Sequence, residues 1–266
     1  MNLAIQTNLL PGDTLAAKFD AAARYGFDGV EINIGPNFDL DRNLSVIRAA
    51  MTSSGLPVSG ICTHPIHDPF HADPDERQIR FERLAHLLGL AGELGAAGVV
   101  SVPARPPVSF SGEMHLDDLA IATYSEWATL LPEGSAAVFL EPLNRYEATW
   151  LRRVGHAADL ARQIGSPRVL ALADLFHMNI EEADMGEPLR DAGPELGYVH
   201  MADNNRLQPG AGCLDFRVPF AALKEIGYTG WLSLECSALG GEYELAGPDV
   251  MLPVTVDFLR NHWSAA

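Results

Sequence analysis

Cysteine is scarce in this chain, with three residues (Cys62, Cys213 and Cys236) among 266. An odd number at long spacings indicates neither a disulfide framework nor a Cys-x-x-Cys zinc site. Reduced thiols in a cytoplasmic protein are the expectation. Basic residues are few: 18 Lys and Arg stand against 35 Asp and Glu, for a formal net charge of -17. No run of Lys or Arg is present, and a surface this acidic repels phosphate backbones, which argues against nucleic-acid binding. The acidity serves solubility, with a smaller role in attracting a divalent cation. No apolar run reaches the ~18 residues that suggest a membrane span. The first eight residues lack the basic and long apolar regions of a signal peptide and read as a first strand. No low-complexity stretch or shift of composition marks a second domain, so one domain over residues 1–266 is expected.

What is present is alternation. Strand-like segments fall at Leu3–Thr7, Gly29–Asn33, Pro57–Thr63, Gly98–Pro103, Ala136–Glu141, Arg168–Asp174, Tyr198–Ala202 and Gly230–Glu235. Helical patterns lie between and after them, at Asp13–Tyr25, Leu40–Ser54, Asp75–Leu94, Met114–Leu131, His156–Ile164, Ile180–Asp191, Pro219–Ile226 and Val250–Trp263. Gly26, Gly55, Gly95, Gly165 and Gly227 supply stop signals. Eight strands and eight helices in alternation predict an α/β fold, a single (β/α)₈ TIM barrel, for which about 250 residues is typical. A doubly wound sheet would show a Gly-rich turn after its first strand, whereas Thr7-Asn-Leu-Leu-Pro-Gly follows here. The longest polar loops, 65–74, 104–113, 144–153 and 204–213, all follow strands, on the face where barrel enzymes carry their sites.

Four strand ends carry groups able to hold a hard metal: Glu141, Asp174, His200 and Glu235. They recur about 30 residues apart, the period of a βα unit, so a parallel barrel would aim all four at one point. Three carboxylates and one imidazole suit Mn²⁺, Mg²⁺ or Co²⁺ better than Zn²⁺, and carboxylates this close need a dication or a proton. Any one of the four, taken alone, reads equally as a salt bridge or a solvated loop end. Glu147, His177 and Arg206 follow at short offsets and can reach over the metal toward sugar hydroxyls.

The runs Glu141-Pro-Leu-Asn-Arg-Tyr-Glu147, Asp174-Leu-Phe-His177 and His200-Met-Ala-Asp-Asn-Asn-Arg206 resemble the sugar isomerase/epimerase family of xylose isomerase-like barrels. Within it, the D-tagatose 3-epimerase-like ketose epimerases and the hydroxypyruvate isomerases are the most similar in pattern. Pro209-Gly-Ala-Gly-Cys-Leu-Asp-Phe216 and Gly227-Tyr-Thr-Gly-Trp-Leu-Ser-Leu-Glu235 extend the likeness. The resemblance implies Glu141, Asp174, His200 and Glu235 as metal ligands, with Mn²⁺ favoured. It implies Glu147, His177 and Arg206 as substrate contacts, Glu141 and Glu235 as the acid/base pair, and a homodimer or tetramer. Two departures stand out: Cys213 where the family often has His, and the bulky, basic Trp150-Leu-Arg-Arg153.

The chemistry implied is removal of a proton α to a carbonyl, with the enediolate stabilised by a divalent ion. Delivery of a proton to the opposite face gives an epimerase, and return to the neighbouring carbon gives an aldose–ketose isomerase. A lyase of the same fold, of the inosose or dehydroshikimate dehydratase type, is the enzymatic alternative. A catalytically silent sugar-binding barrel is the non-enzymatic one. His64, His67 and His71 raise a zinc-cluster endonuclease, but strand four, Val99-Val-Ser-Val-Pro-Ala-Arg105, offers no histidine ligand. His64 is instead expected to contact substrate. Glu31, at the end of strand two, is expected to bond the sugar, orient an arginine or serve structure. Phe110, Trp150 and Phe216 are possible pocket walls, although loop apolar residues more often simply pack. Arg206 is slim provision for a phosphate, with Arg105, Arg145, Arg152 and Arg153 as possible helpers. Cys62 and Cys213 lack a partner base for nucleophilic work.

Overall fold

A computed structural model of the chain describes residues 1–35, 38–63, 73–102, 116–130, 136–237, 239–240 and 247–266. Eight parallel strands close into a barrel in sequence order. They are β1 (Asn2–Gln6), β2 (Gly29–Asn33), β3 (Val58–Cys62), β4 (Gly98–Ser101), β5 (Ala137–Leu140), β6 (Val169–Asp174), β7 (Leu196–Met201) and β8 (Trp231–Leu234). Around them run α1 (Leu15–Tyr25), α2 (Leu40–Ser54), α3 (Pro74–Leu94), α4 (Leu116–Leu130), α5 (Val154–Ile164), α6 (Leu175–Glu181), α7 (Glu187–Ala192), α8 (Arg217–Glu225) and α9 (Pro248–Ala265). The expected (β/α)₈ barrel is therefore the observed fold. No described helix is long and apolar enough to cross a membrane.

Local chemistry sets the boundaries. Thr14 begins α1 by accepting from the Ala17 N–H at 3.2 Å, and Gly26 ends it at φ 90°, where a side chain would be strained. The helix expected at Ile180–Asp191 is in fact two. Asp174 caps α6 directly off β6, its Oδ1 accepting from the Phe176 N–H at 2.8 Å. Asp184 then bends the chain, its Oδ1 accepting from the N–H groups of Gly186 and Glu187, each at 2.7 Å. An Asp side chain that bonds the backbone two residues on, here at Gly186, favours such a turn over a continuous helix. Thr7, expected in β1, opens a short 3₁₀ turn over Thr7–Leu9.

Two cores divide the apolar side chains. The larger lies between strands and helices, where Phe19, Trp127, Phe216 and Phe220 are fully buried. The smaller fills the barrel, around Phe139 and Tyr198 stacked at 5.1 Å. Glycine makes room for these rings: a Cβ at Gly197 would lie 2.7 Å from Phe139, and one at Gly60 would lie 3.2 Å from Tyr198. Above the rings the interior turns polar. Ser59, Glu31, Ser233 and His200 are all fully buried there. Barrel interiors are usually filled by branched apolar residues, so this layer marks where packing gives way to chemistry.

Candidate functional site

Strand register brings the four candidates together. Asp174 of β6 pairs with His200 of β7, and His200 pairs with Ser233 of β8. Glu141 and Glu235 follow one residue beyond their strands, tied by Glu141 N–H to Ser101 O at 3.1 Å and Glu235 N–H to Met201 O at 3.0 Å. Glu141, Asp174, His200 and Glu235 thereby offer four donor atoms within 4.8 Å of one another. Three are buried and Glu235 is partly open. Three hard oxygen donors and one nitrogen, on short rigid strand ends, are a set that fits a divalent ion.

The site's cations sit unevenly. His200 Nδ1 lies 3.1 Å from Glu141 Oε1 and 3.2 Å from Glu235 Oε2. Arg206 bridges Asp174 Oδ2 at 2.5 Å and Glu235 Oε2 at 2.7 Å. For Glu141, burial and the neighbouring Glu235 push the carboxyl up, and His200 only partly offsets them. Burial pushes Glu235 up as well, yet His200 and Arg206 outweigh it and hold this carboxyl well below the ordinary range. Two like residues thus acquire unlike proton affinities, the condition for dividing acid and base roles between them.

Arg206 is held in place by its loop. It takes φ 61°, a left-handed backbone, in a tight turn where its N–H donates to Asp203 O at 2.9 Å. Its guanidinium lies 4.7 Å from the Phe176 ring centroid. Asp203 organises the whole segment, its carboxylate accepting from the N–H groups of Asn204, Gly210 and Leu214 at 2.9–3.0 Å. Gly212 is required beside it, because a Cβ there would lie 2.2 Å from Asp203 Oδ1. Cys213 faces outward, its sulfur accepting from Asn204 Nδ2 at 3.0 Å, so this departure lies on the loop exterior.

The segment after β5 positions His177. The Asn144 N–H donates to His177 Nδ1 at 3.1 Å, which leaves the ring hydrogen on Nε2, facing Asp174 Oδ2 at 3.5 Å. Glu147 accepts from Asn144 Nδ2 at 3.1 Å. Arg145 is committed to Glu181, with Nε at 2.7 Å from Oε1. Arg152 and Arg153 are exposed, while the Trp150 indole donates to Asp117 of α4 at 2.6 Å.

A cavity of about 360 Å³ opens over this group, lined by Glu147, Arg206 and Glu235 and also by Gln6, Asn8, Asn33 and Phe176, among others. His177 lies buried behind it. The last four lining residues are absent from the sequence expectations. Gln6 gave one legible signal, a polar residue at the carboxyl end of a strand. Its Nε2 donates to Glu235 Oε1 at 3.1 Å, and its oxygen accepts from Asn33 Nδ2 at 3.3 Å. Phe216, an expected pocket wall, belongs to the outer core against Phe220 and Phe258. Glu31 reaches no arginine among the described residues and is closed to solvent; it bonds His200 and Ser233 instead. Cys62 is buried with its thiol pushed up by desolvation, as befits an inert side chain. His64, His67, His71, Arg105 and Phe110 lie outside the described residues.

Known proteins supply the wider context. Residues 19–261 match the family model described as xylose isomerase-like TIM barrel. A 3-dehydro-D-guloside 4-epimerase of Escherichia coli is 30% identical over 249 residues, 88% of this chain and 92% of the relative. An L-ribulose 3-epimerase of Mesorhizobium japonicum is 40% identical over 221 residues, 79% of this chain and 71% of the relative. The crystal structure of an apo 3-keto-D-glucoside 4-epimerase from E. coli superposes with a TM-score of 0.84 at 27% identity, covering 98% of this chain and 99% of that one. These relatives are epimerases, a class of isomerase. By sequence and by architecture alike, the chain belongs to the xylose isomerase-like TIM barrel family.

Proposed function

We propose that this protein is a divalent-metal-dependent isomerase that inverts, or shifts a proton from, the carbon next to the carbonyl of a small keto sugar. The observation that carries the reading is the convergence of Glu141, Asp174, His200 and Glu235 donor atoms within 4.8 Å beneath a polar cavity. The relatives' names support it in one chemical respect. A 3-epimerase of a 2-ketose and a 4-epimerase of a 3-keto sugar both invert a carbon α to a ketone. Epimerisation is therefore favoured over aldose–ketose isomerisation, with the position of the ketone left to the substrate.

In this reading Glu141, Asp174, His200 and Glu235 hold one ion, with Mn²⁺, Mg²⁺ or Co²⁺ preferred to Zn²⁺ by the oxygen-rich donor set. The bound ion supplies Lewis-acid stabilisation of the negative charge that grows on oxygen as the proton leaves. Glu235, whose carboxylate is bonded by Arg206 and Gln6, takes the proton. Glu141, the other carboxylate of the pair, returns one from the other side. Arg206 and Glu147, which line the cavity, orient hydroxyls, His177 is assigned to the same group from the sequence, and Arg206 also holds the Glu235 carboxylate at a fixed angle. His64 is assigned to the same substrate group from the sequence. The assembly follows the family expectation of a homodimer or tetramer, and the barrel is taken as one domain over residues 1–266.

Solvent exchange tests the reading. The Mg²⁺-loaded protein is mixed with 2-ketoses, 3-keto glycosides and hydroxypyruvate in D₂O, and the α-protons are followed by NMR. Metal-dependent exchange on at least one substrate, lost in Glu235→Gln, is expected. Absence of exchange across the panel, with water loss detected by ultraviolet absorbance, would transfer the site to a dehydratase.

A further inference from the structure

One buried carboxylate has no part in the scheme above. Glu31, on β2, is wholly closed to solvent and so contacts no substrate. Burying a carboxylate is costly unless hydrogen bonds compensate, yet among the described residues its partners are a histidine and a serine, with no lysine or arginine beside it. Oε1 lies 3.0 Å from His200 Nε2, and Oε2 accepts from Ser233 Oγ at 2.5 Å. Both bonds cross the barrel interior, because β2 is adjacent to neither β7 nor β8. The polar chain continues below, where Tyr198 Oη meets Ser59 Oγ at 2.8 Å and also engages Ser233.

The two faces of the His200 ring are thereby distinguished. Nδ1 looks toward Glu141 and Glu235, at 3.1 and 3.2 Å, on the side where the four donors converge. Nε2 looks away, toward Glu31. A histidine ligates through an unprotonated nitrogen, and which nitrogen that is depends on what accepts the hydrogen of the other. We infer that Glu31, braced by Ser233, is a positioning residue that takes the Nε2–H of His200 and so commits Nδ1 to the metal. The inference rests on the metal-dependent reading of the site and adds a residue that contacts neither metal nor substrate. It also explains why a carboxylate stands in the barrel interior: a neutral acceptor would hold the imidazole hydrogen less firmly and make Nδ1 a weaker donor.

The test has two arms. In the wild-type protein, labelled with ¹⁵N-histidine and loaded with Zn²⁺ as a diamagnetic stand-in, long-range ¹H–¹⁵N correlation reads the His200 ring, identified by its loss in His200→Asn. A metal-shifted Nδ1 and a protonated Nε2 are expected; a metal-shifted Nε2 or a protonated Nδ1 would overturn the inference. In the second arm, Mn²⁺ affinity is measured from free-Mn²⁺ electron paramagnetic resonance. Glu31→Ala should weaken binding by about 10–100-fold, the usual effect of losing such a partner. Glu31→Gln, whose amide oxygen still accepts from Nε2, should recover part of it, and Ser233→Ala should cost only a few-fold. Wild-type affinity in Glu31→Ala that is folded by circular dichroism would sink the inference alone. A wild-type protein that binds no Mn²⁺ at all would remove it together with the proposed function.

Discussion

The two halves of the barrel contribute differently to the same site. Strands β5 to β8 end in Glu141, Asp174, His200 and Glu235, the groups whose donor atoms converge. Strands β1 and β2 send in Gln6, Asn33 and Glu31, each of which bonds one of those groups or bonds a residue that does. In the proposed reading, carboxylates from the second half carry the proton transfer, and Gln6 and Glu31 from the first half hold the converging groups at fixed angles. A group that merely holds can be a buried amide or carboxylate, which is what Gln6 and Glu31 are. The difference teaches that a barrel site is assembled across the interior as well as around the rim.

The sharpest way to break this division is to remove charge from the second half. Glu235→Gln and Glu141→Gln should each lower kcat by about 10²–10⁴-fold, the range for loss of a general acid or base. Retention of activity within tenfold of wild type would show that the converging carboxylates do not carry the chemistry. Next comes the metal. Saturation with Mn²⁺ at a hundred times its Kd should stabilise the fold by about 2.7 kcal/mol, measured as a rise in thermal midpoint that chelation reverses. Asp174→Asn should abolish most of that rise. A midpoint indifferent to metal would separate the four donors from any ion.

Arg206 probes the link between the halves of the donor set. Its fork spans Asp174 and Glu235, a geometry that a lysine, as a point charge on a flexible stem, does not reproduce. Arg206→Lys should reduce kcat/KM by about 10–100-fold while leaving the fold intact. Gln6→Leu then tests the first half directly. It removes a neutral donor from the Glu235 carboxylate, a bond worth about 1.5–3 kcal/mol to a charged acceptor, so a loss of about 10–100-fold is expected. An effect as large as that of Glu235→Gln would erase the proposed division of labour between the halves.

How much of this was legible in the sequence follows from the same contrast. The eight strands were visible as short apolar runs between glycine stops, because strand periodicity and left-handed caps are local. The four donors were visible because strand ends in a parallel barrel share one face. Gln6, Asn33 and Phe176 escaped, since an amide or a ring at a strand or helix end looks ordinary until register places it beside Glu235 or Arg206. Glu31 was noticed, with a structural role among the options, but no pattern named its partner. Its bond to His200 crosses the barrel between strands far apart in sequence, and no local pattern encodes such a distance. The split of the sixth helical segment into α6 and α7 depended on two Asp side chains, Asp174 and Asp184, choosing backbone N–H partners, which the apolar periodicity of the segment does not reveal.

The smallest effect expected concerns the frame around the donors. Arg145, in the segment after β5, donates from its backbone N–H and its Nε to Glu181 of α6, both at 2.7 Å, and so ties the support of Glu141 to that of Asp174. Burial alone would raise the Glu181 carboxyl, but the side-chain and backbone bonds from Arg145 outweigh it and hold it below its ordinary 4.5. A depressed carboxylate stabilises the fold above its unfolded value, and the contribution is lost as pH falls through the folded value. The thermal midpoint of Arg145→Ala should therefore lie below that of wild type at neutral pH, with a gap that narrows as pH falls below about 4.5. The guanidinium is half-exposed, so the gap should be small and should shrink with added salt. The backbone N–H bond survives the substitution and keeps part of the link. A gap that widened on acidification would mean that Arg145 supports the loop by packing its stem, and that the two donor-bearing segments are joined by contact instead of charge.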